Sequence, residues 1–524
     1  MKHTIGFTNF RRFKKFPEID LGDITILVGG NNAGKSTLVK AMLLMRDFLK
    51  SRIESLDNTK EKYNILSLPQ FSFDTEHVNV GDFYRAFCRQ SDKRDNTISF
   101  TMKIDKFRFI VNITGERKPG IIPQVSLIAL FDEDKDISFT FDFTKGKLSA
   151  CFGYDKLALN TDVDNSYQIN QEIDRLKDRL TSIKDLGVIT KLKLEIEKLE
   201  REKSSILKEY TISEEDEITI DLSKLPGGEV GKLVVPELIK CITRYSETGT
   251  LGDKRSNIYR VDEANKSFID GKKATINTIA EELEGVINSQ VIEYIYAHSV
   301  YQDSIYAKCA NSSDYTKRTI HEFFSSRISC GDEEFSLIEN WLEKFKIGTS
   351  LKVIPYKGDN YSLVIFDKDN PEITSEKKKG YPGGIDLADK GMGTIQVVIL
   401  LLRIATLIRK YRGQQLTILL EEPEQNLHPA VQSQLADLIY EINQEYDVNF
   451  IIETHSEYLI RRTQVLVADI NKSNVYVGVP FKVIYLPENN DEPYDMQYRP
   501  DGKFLREFGP GFFDEAAKLA FKIF

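Results

Sequence analysis

Apolar positions along the chain repeat with two different periods, and the architecture changes where the period changes. Ile24-Thr25-Ile26-Leu27-Val28 is a β-branched run that predicts a short strand. It enters a polar, glycine-rich turn from Gly29 to Gly34. From Lys35 onward Leu38, Met42 and Met45 fall on one face of a helix. Residues 97 to 153 read as antiparallel β. Thr97 to Met102 and Ile137 to Phe141 both alternate, with Gly, Pro, Asp and Lys punctuating between such runs.

The period then lengthens. Ile169, Ile173, Leu176, Leu180 and Ile183 form a heptad seam, and Ile189, Leu192, Ile196 and Leu199 form a second one. Asp185-Leu186-Gly187 separates them, and the register does not carry across Gly187. Two helices folded back on each other fit this better than one rod, each arm being roughly 25 Å long at 1.5 Å per residue. Such a hairpin either packs on the body or projects toward a partner. Residues 215 to 375 are mixed, with strand-like runs at Leu351–Ile354 and Ser362–Phe366. From Ile385 the pattern predicts an apolar helix running through Val397–Leu402. Leu416–Leu420 predicts a buried strand, Val431–Ile442 an amphipathic helix and Phe450–Ile452 another strand.

Three segments carry candidate chemistry. Gly29-Gly30-Asn31-Asn32-Ala33-Gly34-Lys35-Ser36 matches the phosphate-loop pattern G-x-x-x-x-G-K-[ST] and sits between a strand and a helix. Its glycines let backbone N–H groups turn around a phosphate, and the helix N-terminus adds a favourable dipole. Lys35 would reach the β- and γ-phosphates of ATP, and the Ser36 hydroxyl would ligate Mg²⁺. The Leu416–Leu420 strand ends in Glu421 and Glu422: the first would serve the magnesium shell, the second would act as general base toward water. The Phe450–Ile452 strand leads into Glu453-Thr454-His455-Ser456, where His455 can hydrogen-bond the γ-phosphate and the attacking water.

Together with Asn426-Leu427-His428-Pro429, these motifs resemble ABC-type ATPases of the SMC/RecF/OLD group. Leu387 to Gln396 is similar to their signature segment, although Asp389-Lys390 precedes Gly391 where the common form has Ser before Gly-Gly. The ending Gly509 to Glu515 is similar to the C-termini of a bacterial subgroup. The resemblance implies an α/β fold: a P-loop ABC-type ATPase head in two lobes, with an antiparallel β subdomain and an inserted short coiled-coil hairpin. It divides the chain into an N-terminal lobe (1–164), the hairpin (165–212), a helical and mixed insertion (213–375) and a C-terminal lobe (376–524). Gly29, Asn31, Asn32, Ala33, Gly34, Lys35, Ser36 and Thr37 would hold the nucleotide. Two heads would sandwich two ATP molecules, or assemble into a larger homo-oligomer, with Gly391 and Gly393 of one approaching the γ-phosphate of the other. Gln70 would be the glutamine that couples the lobes near the magnesium.

Composition narrows the role. The chain has 524 residues, with 71 Lys+Arg against 80 Asp+Glu and a net charge of −9, which argues against nucleic-acid binding through overall charge while leaving room for a local basic groove. Arg11-Arg12-Phe13-Lys14-Lys15 and Lys377-Lys378-Lys379 are candidates for DNA phosphates, or else solvated faces. Five scattered cysteines signal neither a disulfide framework nor a zinc site. The start of the chain lacks an apolar signal region, and no apolar run is long enough to span a membrane, which points to a cytoplasmic protein. Few residues follow Ser456, which leaves no room for the acidic nuclease domain of OLD proteins, and the Cys-x-x-Cys hook of SMC arms is missing. The remaining analogues are the stand-alone ATPase subunits of bacterial antiphage systems such as Septu and PARIS, which act with a separate effector; that resemblance implies a nuclease as the partner. A RecF- or SMC-like DNA-repair ATPase is the alternative, and a membrane-transporter subunit is disfavoured.

Overall fold

A computed structural model describes residues 3–50, 69–92, 94–152, 196, 217–221, 236, 238–240, 242–243, 263–296, 306–307, 315–356, 360–367, 384–472, 479–488, 492–509 and 513–523. The first strands are β1 (His3–Phe10), β2 (Phe13–Leu21) and β3 (Ile24–Gly29), followed by helix α1 (Lys35–Lys50). A two-stranded ribbon, β4 (Phe73–Asp74) and β5 (Asn79–Gly81), leads to the single turn α2 (Phe83–Ala86). Five antiparallel strands come next: β6 (Thr97–Ile104), β7 (Phe107–Thr114), β8 (Gln124–Asp132), β9 (Ile137–Asp142) and β10 (Lys147–Phe152). Strand β11 (Glu217–Asp221) adds to β10, and the sheet order is β11-β10-β9-β8-β7-β6-β1-β2. The inward positions of β6 and β7 are buried at every second residue, as the alternation in sequence predicts.

The second half supplies helix α3 (Glu263–Ser289), β12 (Gln290–Ile295), β13 (Tyr306–Ala307), α4 (Tyr315–Ser326), α5 (Glu333–Lys344), β14 (Ser350–Tyr356), β15 (Asn360–Phe366) and β16 (Gly384–Asp386). After these come α6 (Met392–Lys410), β17 (Gln415–Glu421), α7 (Pro429–Tyr446), β18 (Asn449–Glu453), α8 (Glu457–Lys472), β19 (Phe481–Leu486), β20 (Tyr494–Asp495) and α9 (Glu515–Ile523). Strands β13 to β16 form a small sheet of their own. The sheet that matters for chemistry has the order β12-β17-β18-β3-β19-β20. Its first five strands are parallel. The strand that carries the phosphate loop therefore lies between two strands from the far end of the chain.

This sheet is covered on both faces, which is why its strands are near-continuous apolar runs. Leu27, Leu419, Ile451 and Ile484 turn toward a core shared with α1 and the antiparallel sheet. Ile26, Ile418, Phe450, Ile452 and Val483 turn the other way, into a core shared with α4 to α8. Helix α6 is apolar and long enough to pass for a membrane span, but most of its residues are buried in that second core.

One expectation changes. The chain is not helical from Ile385: Gly384–Asp386 pairs with β15, Leu387–Asp389 makes one 3₁₀ turn, and the helix begins at Met392 with Gly391 as its N-cap. Asp386 drives this by accepting from the Ala388 N–H, which closes a turn in place of a helix. Residues 213–375 contribute β11 to the antiparallel sheet, β12 to the parallel sheet beside β17, and β13 to β15 to the small sheet. The proposed coiled-coil hairpin lies outside the described residues except Ile196, which is helical and buried.

Candidate nucleotide site

The phosphate loop is held from two sides. Gly34 adopts φ +103°, and a Cβ there would lie 2.3 Å from the Phe13 ring. Gly30 lies against Glu488, whose Oε1 would sit 1.7 Å from an added Cβ. The tip of the β1–β2 hairpin thus backs one end of the loop and the segment after β19 backs the other. Arg12 ties the two walls together by donating Nη2 to the Glu488 carbonyl at 2.6 Å. Within the loop, the Ala33 N–H bonds the Gly30 carbonyl at 3.1 Å and the Thr37 N–H bonds the Gly34 carbonyl at 3.0 Å. Asn32 is left-handed at φ 65°, a conformation that asparagine tolerates. Replacing Gly34 by Ala adds about 1–3 kcal/mol of backbone strain beside the Phe13 collision. The expected result is ATP binding weakened by roughly 10- to 100-fold, measured by calorimetric titration.

Lys35 is buried, and its ammonium donates to the Gly29 and Gly30 carbonyls at 3.0 and 3.2 Å. Burial pulls its pKa down, while Glu453, Glu422 and Glu424 oppose the shift. Thr37 is buried one residue beyond Ser36, and Asn31 and Asn32 are exposed at the loop tip.

Three strand ends bring the acids to this loop. Parallel pairing puts Glu421 of β17 level with Glu453 of β18, and Glu453 level with Leu27 of β3. Ser36 Oγ donates to Glu453 Oε1 at 2.8 Å. Burial pushes the Glu453 carboxyl up to about 7, against the opposing pulls of Ser36 and Lys35. The Glu421 Oε2 accepts from the Tyr294 hydroxyl. Burial and Glu421 push that phenol well above its ordinary value, so it remains a donor. Glu422 follows at φ 41°, with its N–H on the Glu453 carbonyl at 2.7 Å. Its carboxylate accepts from the Gln425 amide and stands 3.6 Å from His455 Nε2. Burial and then Lys35 hold the His455 pKa below its usual value, favouring a neutral imidazole. Glu424 anchors the arrangement by accepting the His455 N–H at 2.7 Å. Lys35, Ser36, Glu421, Glu422 and His455 are therefore assembled in one place by strands from opposite ends of the chain, β3 ending at Gly29 and β17 beginning at Gln415.

The remaining predicted residues lie elsewhere. Gln70 bridges Gln124 and lines a separate cleft with Asp47 and Phe71, apart from the phosphate loop. Gly391 and Gly393 open α6. A Cβ on Gly393 would lie 2.6 Å from the Asn426 carbonyl, so the signature segment rests on the turn after the acid pair. Arg11 and Arg12 line the same cleft of about 490 Å³ as the phosphate loop, together with Arg85, Arg89 and Glu453. Neither the arginines nor Glu453 were assigned to the nucleotide from sequence. Arg11 and Arg12 precede the loop and Arg85 and Arg89 follow it, with no motif to mark any of them. Glu453 was visible as an acid ending an apolar strand, the same signal that marked Glu421.

Mg²⁺ favours hard oxygen donors and is usually held by one or two carboxylates plus substrate phosphates. Ser36, Glu421 and Glu453 supply such donors, and Glu453 Oε2 is a buried oxygen with no hydrogen-bond partner among the described residues. Among the described residues no group of three or more His, Cys, Asp or Glu forms a self-sufficient metal cage. The residues fit magnesium that arrives with a nucleotide.

Residues 1–460 match the family model described as AAA ATPase domain. No curated protein matches the chain. Among solved structures, the chain is similar to an Smc head domain with an extended coiled coil, bound to the C-terminal domain of ScpA and derived from Pyrococcus furiosus. The identity is 12%, the TM-score 0.33, and the match covers 100% of this chain and 99% of that one. It is likewise similar to an SmcHead bound to the C-winged helix domain of ScpA, at 12% identity and TM-score 0.32, covering 99% of each chain.

Proposed function

The chain belongs to the AAA ATPase domain family, and on that premise we propose that it is a cytoplasmic ABC-type ATPase whose nucleotide cycle controls a separate effector protein in a bacterial antiphage complex. One observation carries the catalytic part: Ser36 bonds Glu453 at the end of β18, Glu422 and His455 stand 3.6 Å apart just past the ends of the adjacent parallel strands β17 and β18, and the Lys35 charge acts on both. In this scheme Lys35 binds the β- and γ-phosphates of ATP. Glu422 takes the proton of the attacking water, and neutral His455 donates to the γ-phosphate. Mg²⁺, when bound, neutralises charge on the phosphate oxygens. Two heads face each other across the nucleotides, and Gly391 and Gly393 of each complete the other's site. Gly391 has open space around its Cα and α6 presents its N-terminus there, which suits an anion held by a second copy. The effector role is supported by the motif resemblance to stand-alone antiphage ATPases. It is tested by tagging the chain in its native host. A co-purifying nuclease or toxin, with phage protection lost in Glu422→Gln, supports it; unchanged phage sensitivity on deletion removes it.

The DNA-maintenance alternative rested partly on Arg11 and Arg12. Both line the nucleotide cleft, while Lys14 and Lys15 are exposed. Arg11→Glu is therefore expected to weaken ATP binding at least about tenfold, the scale of one charge-assisted contact, in an assay without DNA. Unchanged ATP affinity, with loss of salt-sensitive duplex binding, would favour the DNA role.

A further inference from the structure

The acid that the sequence offers for magnesium is Glu421, but its Oε2 is already engaged by Tyr294. The loop hydroxyl that must meet the metal points elsewhere: Ser36 Oγ donates to Glu453 Oε1 at 2.8 Å. Glu453 is 4% exposed and sits at the end of β18, directly between the strand of the acid pair and the strand of the phosphate loop. Its other oxygen is buried with no hydrogen-bond partner among the described residues. A hydroxyl carries one proton and two lone pairs. Committing the proton to a carboxylate fixes the rotor and leaves the hydroxyl able only to accept, which is the state a cation requires. A buried carboxylate oxygen without a partner is costly, and it persists where a ligand or its water completes it.

Building on the nucleotide site proposed above, we propose that Glu453 is the positioning residue of the magnesium site: it accepts the hydrogen bond of the Ser36 hydroxyl, which leaves that oxygen's lone pairs for a cation, and its other oxygen would serve the cation's water shell. The same residue as a mere strand-end acid would affect stability alone. The structural difference between the two roles is the bond to Ser36, and it can be read without measuring hydrolysis.

The test is the gain in ATP affinity on adding Mg²⁺, measured by calorimetry with and without EDTA. Glu453→Gln is expected to lose roughly 10–100-fold of that gain, the scale for a residue that orients a metal ligand, each variant's gain being referred to its own ATP affinity in EDTA. Ser36→Ala is expected to lose a similar amount, and the double variant no more than either alone, because the two residues act as one unit. Glu453→Asp keeps the charge but shortens the reach, and is expected to fall between wild type and Glu453→Gln. It also serves if Glu453→Gln fails to fold. A full Mg²⁺ gain in Glu453→Gln or Glu453→Asp, or strictly additive losses with Ser36→Ala, overturns the assignment. Intact ATP binding in Lys35→Ala with EDTA present would instead refute the nucleotide site itself, so the two failures are distinguishable.

Discussion

Glu422→Gln should slow ATP hydrolysis by about 10²–10⁴-fold, the contribution typical of a positioned general base, while ATP binding stays within a few-fold of wild type. The expectation follows from how Glu422 is held. It lies just past the end of β17 in a left-handed conformation, φ 41°, which a non-glycine residue adopts at a cost of about 1–3 kcal/mol unless its surroundings impose it. The bond from its N–H to the Glu453 carbonyl, at 2.7 Å, and the Gln425 amide on its carboxylate impose it. The result is a carboxylate aimed beside His455, at 3.6 Å. Glutamine preserves the shape and the backbone but cannot take a proton, so the loss falls on the chemical step. Phosphate release and ATP affinity, measured on the same preparation, separate the two. Hydrolysis at the wild-type rate would place the base elsewhere.

Lys35→Ala should act on the other side of that division, weakening ATP binding by roughly 10–100-fold, since a hydrogen bond to a charged group is worth about 1.5–3 kcal/mol. The side chain is buried behind the loop and donates to the Gly29 and Gly30 carbonyls. A ligand phosphate competes for the same ammonium with a full negative charge, which a carbonyl dipole cannot match. Removing the ammonium also strips Glu453 of a cation that holds its carboxyl down. The buried acid is then expected to be harder to ionise, so the variant gains nothing from an unpaired carboxylate nearby. Fluorescence titration with ATP in EDTA checks the binding loss directly, and unchanged affinity would remove Lys35 from the phosphate site.

Much of this site was legible in the chain, and for a physical reason. A phosphate loop must join a strand to a helix, so Ile24–Val28, Gly29–Gly34 and Lys35 onward announce themselves by local periodicity alone. The same holds for the acid pair, because a short apolar run rich in β-branched residues and leucine that stops at two glutamates reads as a buried strand reaching the surface. The antiparallel strands between residues 97 and 153 follow from period-two alternation. What was hidden depends on long-range pairing. Nothing local says that β18 lies between β17 and β3, and only that order sets Glu453 against Ser36. Likewise Arg11 and Arg12 reach the phosphate cleft only because the β1–β2 turn folds over Gly34. The pattern predicts helix from Ile385 because Ile385 and Leu387 look like the start of the apolar run that follows, whereas strand β15 recruits Ile385 and Asp386 into a sheet.

The most direct measurement is the nucleotide content and particle mass of Glu422→Gln after incubation with Mg²⁺ and ATP. Size-exclusion chromatography with light scattering and extraction of the bound nucleotide should find one ATP, uncleaved, per chain, in a particle of at least twice the mass of one chain. Recovery of ADP at the wild-type rate, or a monomer retaining no nucleotide, would show that these residues do not form a hydrolytic site shared between two heads.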